Sequence, residues 1–167
     1  MALLLPQPRE RVARCKMLAP PAPIRPARES DIPRILEIER LCFSEQWDYY
    51  QFKASLTDIF LVYLDSRSRD LAGFLIACCC KVAHLGIILR VAVHPDHQGK
   101  GIATQLLRAS LARLRRLNLK EVELDVDIVK AGAIRLYEKV GFKTAAVVSM
   151  SDEDDDSFYI MRKTLSS

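Results

Sequence analysis

The chain has 167 residues, half of them hydrophobic, with 25 lysines and arginines against 21 acids. That length builds one domain with its own core, and the apolar share excludes a disordered chain. No apolar run approaches the roughly 18 residues of a membrane span, so no membrane partner is expected.

Residues 1–28 hold six cations (Arg9, Arg11, Arg14, Lys16, Arg25 and Arg28) and one anion, Glu10. Residues 29–167 hold 19 cations and 20 anions, so the formal charge of +4 belongs to the front end. The body is close to neutral, and no nucleic-acid partner is expected. Residues 1–23 read as a basic, proline-containing extension and residues 24–167 as the folded domain. The apolar start Met1-Ala2-Leu3-Leu4-Leu5 is too short for a secretory core and precedes the basic residues instead of following them. Arginine-rich, acid-poor composition is shared with organelle transit peptides, but serine is missing, and Met17 offers an alternative start. An accessory extension on a cytoplasmic protein is the reading favoured, with an organelle as the alternative.

Beyond the extension, helical and strand patterns alternate. Ser30 is a suitable N-cap for a helix carrying Ile32, Ile35, Leu36 and Cys42 on one face. A short helix follows from Asp48 to Leu56, then strands at 59–64, 71–82 and 86–93. The last two are nearly all apolar and hence central. Cys78, Cys79 and Cys80 are consecutive in a strand, so they point to alternate faces and neither chelate nor pair. They read as reduced, small apolar residues, which suits a reducing compartment. Residues 102–117 form a helix, and 121–128 alternate Glu121, Glu123, Asp125 and Asp127 with Val122, Leu124, Val126 and Ile128. A helix at 131–140 aligns Ala133, Leu136, Tyr137 and Val140 and stops at Gly141. Two strands, 142–150 and 158–165, close the chain around the acidic run Asp152-Glu153-Asp154-Asp155-Asp156. The class is α/β, a mixed sheet with helices packed against it.

The densest signal is Val91-Ala92-Val93-His94-Pro95-Asp96-His97-Gln98-Gly99-Lys100-Gly101-Ile102-Ala103, a buried strand running through two glycines into a long helix. Such a helix start presents unpaired N–H groups and the positive end of the dipole, which together bind phosphate. It lacks the lysine-hydroxyl pair of a Walker loop and the third glycine of a dinucleotide fold. His94 and His97 have no third ligand and no helical spacing, so they read as turn residues and no metal is expected.

The run Gln98-Gly99-Lys100-Gly101-Ile102-Ala103 resembles the Gln/Arg-x-x-Gly-x-Gly/Ala motif of the GNAT acetyltransferase superfamily. Ala133-Ile134-Arg135-Leu136-Tyr137-Glu138-Lys139-Val140-Gly141-Phe142 is similar to a second signature of that family, Ala-Ile-x-Leu-Tyr-x-x-x-Gly-Phe. The resemblance covers residues 24–165 and implies a central mixed sheet of six or seven strands flanked by helices. It further implies an acetyl-CoA-dependent N-acetyltransferase in which amine and thioester react directly in a ternary complex. Val91, Ala92 and Val93 would hold the pantetheine, while Gln98, Gly99, Lys100, Gly101, Ile102, Ala103 and Thr104 would cradle the pyrophosphate. Tyr137 would be the acid for the departing thiolate. The family's ribosomal-protein alanine N-acetyltransferases carry Leu-Glu-Val-Arg-x-Ser-Asn where this chain has Leu124-Asp125-Val126-Asp127-Ile128-Val129-Lys130. Asp125 therefore stands where the family has its base, one methylene shorter, which favours a route through water. Lys130 replaces the cofactor-contacting asparagine and would meet a CoA phosphate. Phe43, Trp47 and Phe52 resemble the Phe-x-x-x-Trp-x-x-x-x-Phe pattern of N-terminal acetyltransferases, which makes Phe43 and Trp47 candidates for the acceptor cleft and Phe52 a core residue. The acceptor is expected to be a protein N-terminus or lysine, and the enzyme a monomer or homodimer. A small amine such as a polyamine, antibiotic or amino acid is the alternative acceptor, and a non-catalytic acyl-CoA-binding module the alternative function. The acidic run at 152–156 would favour a cationic substrate.

Overall fold

Sequence alternation and its absence set the layers of the sheet. The computed structural model describes residues 22–149 and 157–165. The readings of the front extension before residue 22 and of the acidic run at 152–156 lie outside them. Strands β2 (Ile59–Leu64), β3 (Leu71–Cys80) and β4 (Leu85–Val93) pair antiparallel in that order. β3 is buried on both faces from Leu71 to Ala77, which is why its sequence does not alternate. In β5 (Glu121–Asp127) Val122, Leu124 and Val126 are buried while Glu121 and Asp125 are exposed, because a helix layer covers one face only. β5 runs parallel to β4, reached by a crossover through α3 (Ile102–Arg116).

The chain ends on β6 (Lys143–Ser149) and β7 (Ser157–Thr164), with β7 inserted between β5 and β6. With β1 (Ile24–Pro26) at the far edge, the order among the described residues is β1-β2-β3-β4-β5-β7-β6, seven strands. β1 is the strand that periodicity does not reveal. It has three residues and ends in a proline, which cannot donate to a ladder and so belongs at an edge.

Each face of the sheet has its own core. α3 lays Leu106, Leu107, Leu111 and Leu114 on one face, joined by Val140 at the end of α4 (Ala131–Val140). On the other face α1 (Ile32–Cys42) buries Ile32, Ile35 and Ile38, and α2 (Tyr49–Ala54) inserts Phe52 edge-on against Phe74, centroids 5.6 Å apart. Phe52 is thus a core residue, as its sequence position suggests. α2 starts on a reciprocal cap: Asp48 accepts the Gln51 N–H at 2.9 Å and Gln51 accepts the Asp48 N–H at 2.8 Å. Ser30 does not cap α1. Residues Glu29–Asp31 form a 3-10 turn first, fixed by Asp31, which takes a bidentate pair from Arg25 at 2.7 and 2.8 Å and the Arg28 N–H at 2.7 Å. The four described cysteines are free thiols.

Gly73 on β3 lies opposite Val93. A Cβ there would sit 2.9 Å from the Ala92 carbonyl oxygen and 3.3 Å from Cγ2 of both Ile102 and Val93. Backbone cannot yield as a flexible side chain does, so Gly73→Ala is expected to cost ~1–3 kcal/mol. A lower urea midpoint at unchanged slope would show it; an unchanged midpoint would mean β4 gives way freely.

Candidate active site

The parallel ladder between β4 and β5 stops early. It pairs Leu85, Gly86 and Ile87 with Glu121, Val122 and Glu123 and goes no further, although β4 runs on to Val93 and β5 to Asp127. A bulge explains the parting: Ile76 pairs with Arg90 and Ala77 with Ile88, leaving Leu89 as an extra residue that bends β4. The His94 N–H donates to the Ala72 carbonyl at 2.8 Å. Antiparallel ladders alternate, so Ala92 turns its backbone groups to β3, whereas Val91 and Val93 turn theirs into the gap. The Val93 carbonyl is met by Gln98 Nε2 at 3.0 Å and Cys42 Sγ at 3.4 Å. The Val93 N–H and both backbone groups of Val91 remain directed at the opening.

A cavity of about 610 Å³ begins there. Val91, Ala92 and Val93 line one side, followed by His97, Gln98, Gly99, Gly101 and the first turn of α3 at Ile102, Ala103 and Thr104. Gly99 and Gly101 have φ of +75° and +76°, a left-handed conformation that other residues adopt only with strain, and neither has an atom near an added Cβ. Gly101 caps α3 without a side chain, and the first helical bond runs from Gln105 to Gly101. The N–H groups of Ile102, Ala103 and Thr104 therefore have no intrahelical acceptor and face an anion-sized space. Lys100 is exposed on the same loop and does not line the cavity.

The opposite wall is α4, through Gly132, Ala133, Leu136 and Tyr137. Its C-terminus fixes the tyrosine. The Phe142 N–H bonds the Tyr137 carbonyl at 3.0 Å, the Gly141 N–H bonds Glu138 at 2.9 Å, and Gly141 has φ of +101°. This is a Schellman cap, and the usual apolar contact across it is the Tyr137–Phe142 pair, centroids 6.1 Å apart. The Leu-Tyr-x-x-x-Gly-Phe signature is thus a helix stop that also aims a phenol. Burial pushes the Tyr137 hydroxyl up to about 12, and the Asp125 carboxylate adds to the push.

The other face of the gap carries a separate cluster. Phe43 and Trp47 stand in the connection between α1 and α2, half-buried, with the Arg90 guanidinium 4.2 Å from the Phe43 ring centre and 5.1 Å from that of Trp47. Arg90 Nη2 lies 3.3 Å from Glu39 Oε1 and donates to the Glu45 carbonyl at 2.9 Å. Glu39 is fully buried and accepts the Trp47 N–H at 2.9 Å. Lys130 is placed away from the cavity lining, its ammonium 5.9 Å from the centre of the Phe43 ring. Asp125 also lies outside the lining, exposed on β5 beyond the end of the β4 ladder.

Most residues that the sequence motifs single out thus meet around one cavity. Sequence patterns missed His97, Gly132, Ala133 and Leu136 as lining, although the last two share Tyr137's helical stripe. They also missed Glu39 and Arg90. A lone charge in the apolar run Leu85–Val93 was a signal for Arg90. A carboxylate following Ile38 on a buried helix face gave none.

Comparison with known proteins agrees with this geometry. Residues 32–142 match the acetyltransferase (GNAT) family. An N-alpha-acetyltransferase of Saccharolobus solfataricus is 30% identical over 154 residues, covering 85% of this chain and 92% of the relative. The ribosomal protein bS18-alanine N-acetyltransferase of Escherichia coli is 26% identical over 118 residues, 71% of this chain and 78% of the relative. Among solved structures, the NatC complex bound to Gag peptide and CoA superposes with a TM-score of 0.75 at 19% identity, covering 86% of this chain and 98% of that one. With the split sheet, the glycine loop and the matched family in agreement, the chain belongs to the acetyltransferase (GNAT) family.

Proposed function

We propose that the enzyme transfers the acetyl group of acetyl-CoA to the α-amino group of a protein N-terminus, by direct attack in a ternary complex. The observation that carries this reading is the gap between β4 and β5, which opens to a phosphate-sized cradle on one face of the sheet and to an aromatic wall on the other. Relatives named N-alpha-acetyltransferase and bS18-alanine N-acetyltransferase support the acceptor class.

The residues present suit acetyl-CoA. Added Cβ atoms at Gly99, Gly101 and Gly132 would meet nothing, so backbone is bare where a narrow ligand would lie. Acetyl-CoA supplies an activated thioester carbonyl. The N–H groups of Gly99 to Thr104 hold its phosphates, with the Lys100 charge close by. The exposed backbone groups of Val91 and Val93 hold the pantetheine arm, and a free N–H there polarises the thioester oxygen. Asp125 takes one proton of the arriving ammonium, through water, the freed lone pair forms the new C–N bond as the C–S bond breaks, and the nitrogen then releases its second proton to the same water route.

Tyr137 serves the departing sulfur. A phenol near 12 stays protonated throughout the working range, so it is always a donor. Complete transfer to a thiolate of pKa ~8.5 is uphill by roughly 3.5 units, or about 5 kcal/mol. Tyr137 therefore stabilises the developing charge by hydrogen bonding, and solvent completes the protonation.

The choice of α-amine over lysine follows from the same arithmetic. At pH 7 an α-amino group (pKa ~8) has roughly two orders of magnitude more free base than a lysine (pKa ~10.4). A water-relayed carboxylate exposed to solvent is adequate for the first and poor for the second.

A panel of peptides with free N-termini, N-blocked peptides with lysine, and polyamines tests the assignment, read by thiol release and mass shift. Free α-amines are expected to react fastest; fastest reaction of a polyamine or of lysine overturns the N-terminal reading. Tyr137→Phe is expected to keep acetyl-CoA affinity and lose about 10²–10³-fold in kcat, and full activity would remove its role. Gly101→Ala meets no atom, so its cost is conformational, about 1–2 kcal/mol. Its acetyl-CoA affinity should fall about tenfold as the first-turn N–H groups tilt, which calorimetry would detect.

A further inference from the structure

Glu39 and Arg90 form a charged pair in a place where packing alone would choose apolar residues. Glu39 follows Ile35 and Ile38 on the buried side of α1 and is 0% exposed. One carboxylate oxygen takes the Trp47 N–H and the Arg90 guanidinium, and the other, Oε2, is buried without a hydrogen-bond partner. A half-satisfied buried carboxylate is a poor device for stability, since an apolar replacement of a buried ion pair is often neutral or better. Burial holds the Glu39 carboxyl above its ordinary range, against the opposing pull of the Trp47 N–H and Arg90.

The pair does have a task that apolar residues cannot perform. Residues 43–48, between α1 and α2, form no helix or strand, and while the helix ends satisfy groups of Phe43 and Asp48, the backbone between them needs partners from elsewhere. Glu39 satisfies the Trp47 N–H, and Arg90 satisfies the Glu45 carbonyl while its guanidinium lies against Phe43 and Trp47. Arg90 is also the residue next to Val91, whose backbone opens into the gap. One ion pair thereby sets the distance between the aromatic wall and the cleft. We propose that Glu39 and Arg90 are positioning residues that hold Phe43 and Trp47 as the acceptor wall and so govern acceptor KM without touching acetyl-CoA. This rests on the reading that the amine enters from the α1–α2 face.

Trp47 is the single tryptophan of the chain, so its fluorescence reports the wall directly, whatever the acceptor. The test uses the full chain and three variants, Arg90→Ala, Arg90→Lys and Glu39→Gln. Arg90→Ala is expected to raise the KM for a peptide with a free N-terminus about tenfold, to change acetyl-CoA Kd less than about twofold, and to roughly double acrylamide quenching of Trp47, because cation, plane and hydrogen bond are lost together. Arg90→Lys keeps the charge but not the planar stack, and Glu39→Gln keeps the Trp47 acceptor but not the charge, so both should fall between. They keep the test open should Arg90→Ala fold poorly.

Unchanged acceptor KM and unchanged quenching in folded Arg90→Ala or Arg90→Lys overturns the proposal. Equal loss for both substrates with a lower Tm makes the pair structural only, and overturns it as well. Should a small amine prove the true acceptor, the N-terminal reading fails, yet the same split between amine KM and acetyl-CoA Kd still decides the role of the pair. Raised quenching with an unmoved KM for every amine that turns over overturns the positioning role and leaves the N-terminal assignment standing.

Discussion

The site depends on a parallel ladder that ends after three pairs. A strand released on one side normally leaves unpaired N–H and C=O groups, each of which must find a partner or stay wet. Here the sheet survives because each strand keeps its outer neighbour: β4 stays bonded to β3 up to Val93, and β5 to β7 from Glu121 to Asp127. The protein meets part of the deficit itself, with Gln98 and Cys42 both directed at the Val93 carbonyl. What it leaves open, at Val91 and at the start of α3, is hydrogen-bonding capacity available to a ligand that inserts as a missing strand would.

Legibility from sequence follows the range of the interaction. Gly99 and Gly101 stand out because their left-handed backbone is a local demand, and Tyr137 with Gly141 and Phe142 because a helix stop is written within six residues. The strands at 59–64 and 121–127 were legible from apolar runs or alternation, within a residue of their ends. The order β5-β7-β6 was not, since two terminal strands of similar composition do not declare which one lies inside. Nor was Ser30's failure as a cap, because Asp31 is claimed by Arg25 from outside the helix. Glu39 and Arg90 lie 51 positions apart, and neither motif nor period links them. The Phe43 and Trp47 pattern singles out the connection between α1 and α2, but not the cation that lies against both rings.

The parity of side chains ties these observations together. Along β4, Ile88 packs on the α3 face, and in a regular strand Arg90 would follow it there. The extra residue Leu89 reverses the alternation, so that Arg90 and Ala92 face α1 while Val91 and Val93 face the cavity. Along β5 the alternation needs no correction: Val122, Leu124 and Val126 pack toward α3, and Asp125 emerges on the opposite face. One bulge therefore parts the strands, exposes the backbone of Val91, and turns Arg90 toward the aromatic wall. It also leaves the Asp125 carboxylate and the Tyr137 phenol on opposite sides of the opening, close enough for the charge of the first to raise the second. Burial does most of that raising and the carboxylate adds to it, so the two groups stand in divergent environments on the two sides of one gap. Deleting Leu89 would leave Arg90 directly after Ile88 and so still on the α1 face, but it would make the β3–β4 pairing regular and remove the bend, so what the bulge supplies is the opening between β4 and β5.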